Sequence, residues 1–138
     1  MENPQNSQEL AYQFQYIKEQ KDMYMQNLEI VNASYTNLIK TKNTIKNLKD
    51  IKDGEEILVP VGGMISIKAL IKEPQKILLS ISNDVMVESN INNSIEYIDK
   101  LIDQHKNQMS FLQEQIKKIE ANLLGISQKF QQDFSQQR

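Results

Sequence analysis

The sequence contains no cysteine and no tryptophan, and it has only three prolines, four glycines and one histidine among its 138 residues. Without cysteine, disulfide frameworks, thiolate zinc sites and thiol chemistry are excluded. The single histidine, His105, cannot build a zinc site. No carboxylate pair has a histidine, serine or second acid at a catalytic spacing. We therefore expect neither an enzyme nor a protein that needs a metal or another cofactor.

The sequence also lacks a charge excess and a long apolar run. Sixteen basic residues nearly balance 18 acidic residues, which leaves a net charge of -2 and no basic surface for nucleic acid. No segment approaches the roughly 18 consecutive apolar residues of a membrane span, and the N-terminus does not resemble a secretory signal. We expect a cytoplasmic protein that binds neither nucleic acid nor membranes.

Two long heptad patterns dominate what is present. The first, called the α1 seam, alternates spacings of four and three residues, and nine of its twelve positions are apolar. With no proline or glycine between Gln5 and Asp53, it predicts a helix over about 8–52. Its members are Leu10, Phe14, Ile17, Lys21, Tyr24, Leu28, Val31, Tyr35, Leu38, Lys42, Ile45 and Lys49.

The second pattern, the α2 seam, has eleven apolar residues among thirteen positions. It predicts a helix over about 90–133 with Asn90 as the N-cap, followed by a flexible tail at 134–138. Its members are Ile91, Ile95, Ile98, Ile102, His105, Met109, Leu112, Ile116, Ile119, Leu123, Ile126, Phe130 and Asp133.

The two seams match each other if the helices run antiparallel. Seam positions then pair where their numbers sum to 140, such as Leu28 with Leu112 and Ile45 with Ile95, and His105 falls opposite Tyr35. A slip of one heptad is the alternative register. The lysines at seam positions are expected to set the register while their stems lie along apolar neighbours.

The segment between the helices, about 56–88, alternates with the period of two that is typical of β-strands. Gly62-Gly63 predicts a hairpin turn, Pro60 predicts an edge or a bulge, and Glu73-Pro74-Gln75 predicts a second turn. The sequence thus predicts two β-hairpins. The apolar strand residues expected to drive oligomerisation are Ile57, Val59, Val61, Ile65, Ile67, Ile71, Ile77, Leu79, Ile81, Val85 and Val87.

The predicted fold is therefore mainly α with a small β insert: one domain, 1–138, in which two β-hairpins join an antiparallel two-helix coiled coil. The helices use their apolar stripes on each other, so the strands have no helix of their own chain to cover them. Exposed strand edges and an uncovered apolar face invite pairing with other chains. We expect the insert to be the element that assembles several subunits.

Three stretches resemble the α-class subunits of prefoldin, and the resemblance is closest to the archaeal α subunits. They are "DGEEILVPVG" at the first helix-to-strand junction, "ISIKALIKEPQKILLSI" through the middle strands, and "VMVESNINNSIEYID" into the second helix. The resemblance implies an ATP-independent holdase that assembles with β subunits as an α2β4 hexamer. Such a hexamer holds unfolded polypeptides at its coiled-coil tips and passes them to a group II chaperonin.

The tip at which both termini meet is the expected client-binding region, because frayed coiled-coil ends expose apolar side chains that accept many sequences. The same residues are also suited to packing alone. A non-chaperone adaptor that binds one defined partner is the alternative function. The candidate client-binding residues are Leu10, Tyr12, Phe14, Leu123, Ile126, Phe130 and Phe134.

Overall fold

The structure is a computed structural model that describes residues 4–136, except for the side chain of Gln136. It contains two long helices, α1 (Pro4–Asn47) and α2 (Ile91–Gln136), with a short 3-10 helix at Leu48–Asp50. Between them lie β1 (Glu56–Gly62), β2 (Ile65–Leu70), β3 (Lys76–Ser80) and β4 (Met86–Asn90). Strands β1 and β2 form one antiparallel hairpin, and β3 and β4 form another. The predicted order of elements is confirmed.

The chain divides into two compact units. The first, called the terminal unit, comprises the chain up to Tyr35 and from Gln104 onward. The second, called the hairpin unit, is Thr36–Asp103. Each unit contains part of both helices, and only the hairpin unit contains strands.

In the terminal unit, α1 and α2 pack antiparallel through their seams. Val31, Leu112 and Ile119 are buried there. Lys21 Nζ lies 3.4 Å from Glu120 Oε1. In each side-chain pair that joins the helices in this unit, the two residue numbers sum to within one of 140, as the predicted register requires. A slip of one heptad would instead separate Lys21 from Glu120 by about two helical turns.

The hairpin unit repeats this register in its own helical segments. Lys42 forms an ion pair with Asp99, and Ile45, Ile98 and Ile102 are buried beside it. Lys21 and Lys42 are half-buried at their seam positions, which agrees with stems that lie along apolar neighbours while the ammonium groups reach carboxylates. The predicted antiparallel register is confirmed in both units.

The ends of α1 differ from the prediction. The helix begins at Pro4 rather than near residue 8, because proline suits the first turn, where its missing N–H is not needed. It ends at Asn47 rather than near residue 52, and Ile51 is already extended. Gly54, with φ 84°, lies in the turn that leads into β1. Lys49 therefore lies in the 3-10 helix, exposed and outside the seam.

The start of α2 agrees with the prediction and its end does not. The Asn93 backbone N–H donates to Asn90 Oδ1 at 2.7 Å, so Asn90 is the N-cap. The helix continues through Gly125 to Gln136, and the first three residues of the predicted flexible tail, 134–136, are helical. Glutamine is a good helix former, and no proline interrupts this segment. The rest of the predicted tail lies outside the described residues.

Candidate assembly and polypeptide-binding surfaces

The first hairpin presents the predicted apolar face. Ile57 pairs with Ala69 and Val59 pairs with Ile67, so these four side chains lie on the same side of the two-stranded sheet. The hairpin continues to Ile71, whose carbonyl accepts from the Gly54 N–H at 2.7 Å and whose N–H donates to the Glu55 carbonyl at 3.0 Å. Ile57, Val59 and Ala69 are half-buried, whereas Ile67 is exposed.

The tip of this hairpin departs from the expected turn. The pairing shifts between Pro60 and Gly62, which confirms the bulge predicted at Pro60. Gly62 pairs with Ile65, so the turn residues are Gly63 and Met64 rather than Gly62-Gly63. The bulge falls just before Gly62, and the backbone then takes positive φ angles at both glycines, 144° at Gly62 and 47° at Gly63, which glycine adopts without steric cost.

The second hairpin has an equivalent apolar face. Ile77 pairs with Ser89 and Leu79 with Val87. Strand β4 runs from Met86 to Asn90, so the β segment extends two residues past the predicted end at residue 88. Lys76 supports the pairing of β3 with β4, because its ammonium group lies 3.5 Å from Glu88 Oε1 on the neighbouring strand. The same group lies 3.4 Å from Glu73 Oε1 in the turn before β3. The pKa of Lys76 is raised above its ordinary value, first by the hydrogen bond to Glu73 and the negative charge of Glu73, and then by the charge of Glu88 and the hydrogen bond to it.

None of the eleven strand residues predicted to drive oligomerisation is fully buried. Within this chain they are therefore covered in part or not at all, as an assembly surface requires. Half-buried are Ile57, Val59, Ile71, Ile77 and Leu79. Exposed are Val61, Ile65, Ile67, Ile81, Val85 and Val87.

The opposite face of each hairpin is also apolar in part, which the sequence reasoning missed. Leu58 and Leu70 in the first hairpin, and Leu78 and Met86 in the second, are exposed. The sequence did contain a signal for this second apolar face. Each of these residues is apolar at a strand position where a face exposed to solvent would carry a polar residue. Both faces of each hairpin thus offer apolar area to another chain.

The candidate client-binding residues divide into two groups in the terminal unit. Tyr12 is 78% exposed and Phe134 is 73% exposed. The remaining five lie in the seams and are half-buried, because the helices pack as far as their described ends. They are Leu10, Phe14, Leu123, Ile126 and Phe130.

A shallow depression near the end of α2 is lined by Phe130, Gln131, Phe134 and Ser135. Phe134 follows the last seam position, Asp133, and its ring is largely uncovered. The sequence-based candidates did not include Tyr16 and Leu124, each of which is 62% exposed in this unit. Both lie outside the seams, as Tyr12 and Phe134 do, so the heptad pattern gave no signal for them.

Among the described residues, no three His, Asp or Glu side chains cluster in a way that could hold a metal ion. Nor is any helix within residues 4–136 both long and apolar enough to cross a bilayer.

The family model described as "Prefoldin: Prefoldin subunit" matches residues 9–136, which include both hairpins, all of α2 and all of α1 except its first five residues. The chain belongs to the prefoldin family. Members of this family are chaperones rather than enzymes. The resemblance noted in the strand segments therefore extends over almost the entire chain.

Curated relatives carry α-subunit names. Prefoldin subunit alpha of Pyrococcus horikoshii is 26% identical over 132 residues, covering 95% of this chain and 89% of the relative. Prefoldin subunit alpha 1 of Thermococcus kodakarensis is 31% identical over 104 residues, covering 75% of this chain and 71% of the relative. The predicted assignment to the archaeal-type α class of prefoldin is thus confirmed.

Solved structures support the prefoldin fold. A chain from the cryo-EM structure of filamentous PFD from Methanocaldococcus jannaschii matches with a TM-score of 0.73 at 19% identity, covering 84% of this chain and 96% of that one. The prefoldin β subunit from Thermococcus strain KS-1 matches with a TM-score of 0.63 at 16% identity, covering 96% of both chains. At these identities the likeness concerns the fold, a coiled coil joined by hairpins.

Proposed function

We propose that this prefoldin subunit is part of an ATP-independent holdase that binds unfolded or newly made polypeptides and passes them to a group II chaperonin. The observation that carries the proposal is the exposure of apolar side chains on the two hairpins and, separately, at the described helix ends of the terminal unit. One surface serves assembly and the other serves clients. Binding of newly made chains would place the assembly in the cytoplasm.

Assembly occurs through the hairpins with β-class prefoldin subunits, in an α2β4 hexamer. The six exposed residues among the predicted strand positions would each contribute roughly 1 to 2 kcal/mol on burial, since they are already partly covered. The unpaired outer edges of the two-stranded sheets can also extend by pairing with strands of neighbouring subunits. These two contributions together favour a multi-chain hub over a monomer.

Client binding is assigned mainly to Tyr12 and Phe134. Both are aromatic, both are mostly exposed, and neither lies at a seam position. Aromatic side chains offer large apolar area without demanding one partner geometry, which suits a surface that must accept many sequences. The half-buried tip residues, such as Phe14 and Phe130, contribute when the helix ends open.

The assembly step is tested by native mass spectrometry of the chain mixed with a β-class prefoldin chain. We expect a species with two copies of this chain and four β copies. Replacing Ile67→Lys and Val87→Lys should abolish it, because a charged group would be buried on each hairpin. The matched control, Tyr12→Lys and Phe134→Lys, should assemble normally. A stable, active monomer would contradict the assembly proposal.

The client step is tested with the assembled hexamer and several unrelated denatured proteins whose aggregation is followed by light scattering. The wild-type hexamer should delay aggregation of all of them without ATP. Tyr12→Gln with Phe134→Gln should weaken this protection, whereas Phe111→Gln, an exposed aromatic elsewhere in the terminal unit, should not. Protection of a single protein, with no effect on the others, would instead indicate an adaptor.

Transfer is tested by adding a group II chaperonin to the hexamer loaded with a labelled client. Movement of the label to the chaperonin, without release of free aggregating client, is the expected result. A label that stays on the hexamer would contradict transfer and leave the holdase proposal intact.

A further inference from the structure

A second apolar stripe runs along α1 inside the terminal unit. Tyr16, Met23 and Ile30 are 62%, 52% and 68% exposed, and successive members are seven residues apart. Seven residues correspond to almost two helical turns, so the three side chains lie on one face. We call them the α1 stripe. None of them belongs to the α1 seam, which is occupied by α2.

The α1 stripe has the spacing of a coiled-coil a position. Its first member is held by a hydrogen bond, because Gln20 Nε2 donates to the Tyr16 hydroxyl oxygen at 3.0 Å. A partner helix with apolar residues at the same heptad spacing, about 10.5 Å, meets all three side chains, whereas the same-face residues of an extended strand recur about every 6.8 Å and miss Met23. The spacing therefore selects a helical ligand.

The charges beside the stripe select among helices. With the stripe at position a, Asp22 and Glu29 occupy g positions, and Glu19 occupies a d position. The α1 part of the terminal unit has two lysines, Lys18 and Lys21, and neither lies at an a, d, e or g position. Lys21 is moreover paired with Glu120. The border of the stripe is therefore acidic.

We infer that the α1 stripe is a docking surface for a basic amphipathic helix of another protein. Such a helix places apolar residues against Tyr16, Met23 and Ile30 and lysine or arginine opposite Asp22 and Glu29. Opposite charges at these flanking positions are the usual determinant of partner choice between helices. A second copy of this chain fits poorly, because an antiparallel pair of stripes would set the acidic g positions of one copy against those of the other.

The test uses three fluorescent 21-residue peptides and fluorescence anisotropy, with the chain alone and in its complex with β-class subunits. The basic peptide has leucine at a and d and lysine at e and g. The acidic peptide has glutamate in place of lysine, and the broken peptide is the basic one with two central prolines. We expect the basic peptide to bind at least about tenfold more tightly than either of the others.

The stripe variant, Tyr16→Gln, Met23→Gln and Ile30→Gln, should weaken binding of the basic peptide by at least about tenfold. Its matched control replaces three other exposed apolar residues of the terminal unit, Met25→Gln, Phe111→Gln and Leu124→Gln, and should bind within about twofold of wild type. All six side chains are exposed, so circular dichroism should show unchanged helix content and an unchanged unfolding midpoint. Asp22→Asn with Glu29→Gln should weaken binding by about fivefold and reduce its salt dependence.

Three results would overturn the inference. Equal affinity of the stripe variant and its control would exclude the α1 stripe as the site. Equal affinity of the broken peptide would show that the surface accepts extended chains. A loss of mass of the assembly in the stripe variant would show that a second copy or a β-class subunit occupies the stripe. Client protection is measured separately with the Tyr12 and Phe134 variants, so failure here does not bear on the proposed holdase activity.

Discussion

The Nε2 atom of His105 on α2 lies 2.9 Å from the Oγ atom of Ser34 on α1, which is a hydrogen bond across the seam of the terminal unit. The sequence had predicted Tyr35 opposite His105. The hydrogen bond goes to the residue before Tyr35, since a ring nitrogen can bond to a hydroxyl, and the numbers 34 and 105 still sum to within one of the predicted 140. A polar contact in a mainly apolar seam favours one register over its neighbours.

Replacing His105→Leu should therefore stabilise the helix pair and weaken its register. Leucine at this half-buried position should add roughly 1 kcal/mol to the free energy of unfolding. Spin labels at positions 28 and 112 should then report a broader distance distribution than in wild type. Ser34→Ala is the control, since it removes the hydrogen bond without adding apolar area. The lost hydrogen bond lowers the stability by about 0.5 to 1.5 kcal/mol, and the higher helix propensity of alanine offsets part of this loss. A narrow, unchanged distribution in His105→Leu would show that the apolar heptads alone fix the register.

Ser94 makes a second prediction, in the hairpin unit. Its side chain is 0% exposed and its Oγ atom has no hydrogen-bond partner. Removing a buried hydroxyl that is not hydrogen-bonded should raise the free energy of unfolding by about 1 kcal/mol, beyond the small gain that alanine gives in any helix.

The comparison of Ser94→Ala with Ser110→Ala isolates this effect, because Ser110 is an exposed serine in the same helix. Thermal unfolding of the two variants, followed by circular dichroism, should give the higher midpoint for Ser94→Ala. Equal midpoints would show that the Ser94 hydroxyl is hydrogen-bonded in solution.

The helix pair was predictable in detail because a heptad seam fixes both the partner face and the register. Every position of the α2 seam is buried or half-buried, and so is every position of the α1 seam except Lys49. Two seams of equal length on one chain leave only an antiparallel arrangement with a short connection. The error at Lys49 arose because the heptad pattern continues past Asn47 while the backbone has already tightened into a 3-10 turn.

The candidate surfaces were less predictable, because exposure depends on neighbours that the sequence does not display. Phe14 lies at a seam position and Tyr12 does not, so the heptad pattern accounts for the half-burial of Phe14, but it does not give the 78% exposure of the Tyr12 side chain. Leu58 was not named among the strand residues expected to drive oligomerisation, because alternation selects only one face of each strand. Both faces of the first hairpin are apolar near Leu58, and in that case the alternation of residue types cannot predict which face is exposed to water.

Asn90 provides a third prediction. Its Oδ1 accepts from the Asn93 N–H at 2.7 Å and satisfies one of the free N–H groups at the start of α2. Asn90→Ala should lower the free energy of unfolding by about 1 kcal/mol. Asn92→Ala, at an exposed position two residues further along the chain, should change it by less than about 0.5 kcal/mol. Denaturant titrations of both variants measure the difference, and equal effects would mean that Asn90 acts as an ordinary surface residue.

Removal of residues 1–14 and 124–138 tests the separation of assembly from client binding most directly. The deletion takes away Tyr12, Phe134 and the neighbouring tip residues, and it leaves all four strands in place. The hexamer with β-class subunits should therefore still form, as judged by native mass spectrometry. Its suppression of client aggregation should be lost, since the most exposed aromatic side chains of the terminal unit are gone.

The matched control for this deletion is the full-length chain with Tyr12→Gln and Phe134→Gln, which removes the two exposed aromatics and keeps the helix ends. If exposed aromatic area is what holds clients, the double variant should lose most of the protection that the deletion loses, because burial of each aromatic ring contributes roughly 1.5 to 3 kcal/mol. If the double variant protects clients fully and the deletion does not, the half-buried tip residues carry the binding and the helix ends must open to expose them. A deletion hexamer that protects clients as well as wild type would refute the tip as the client-binding region.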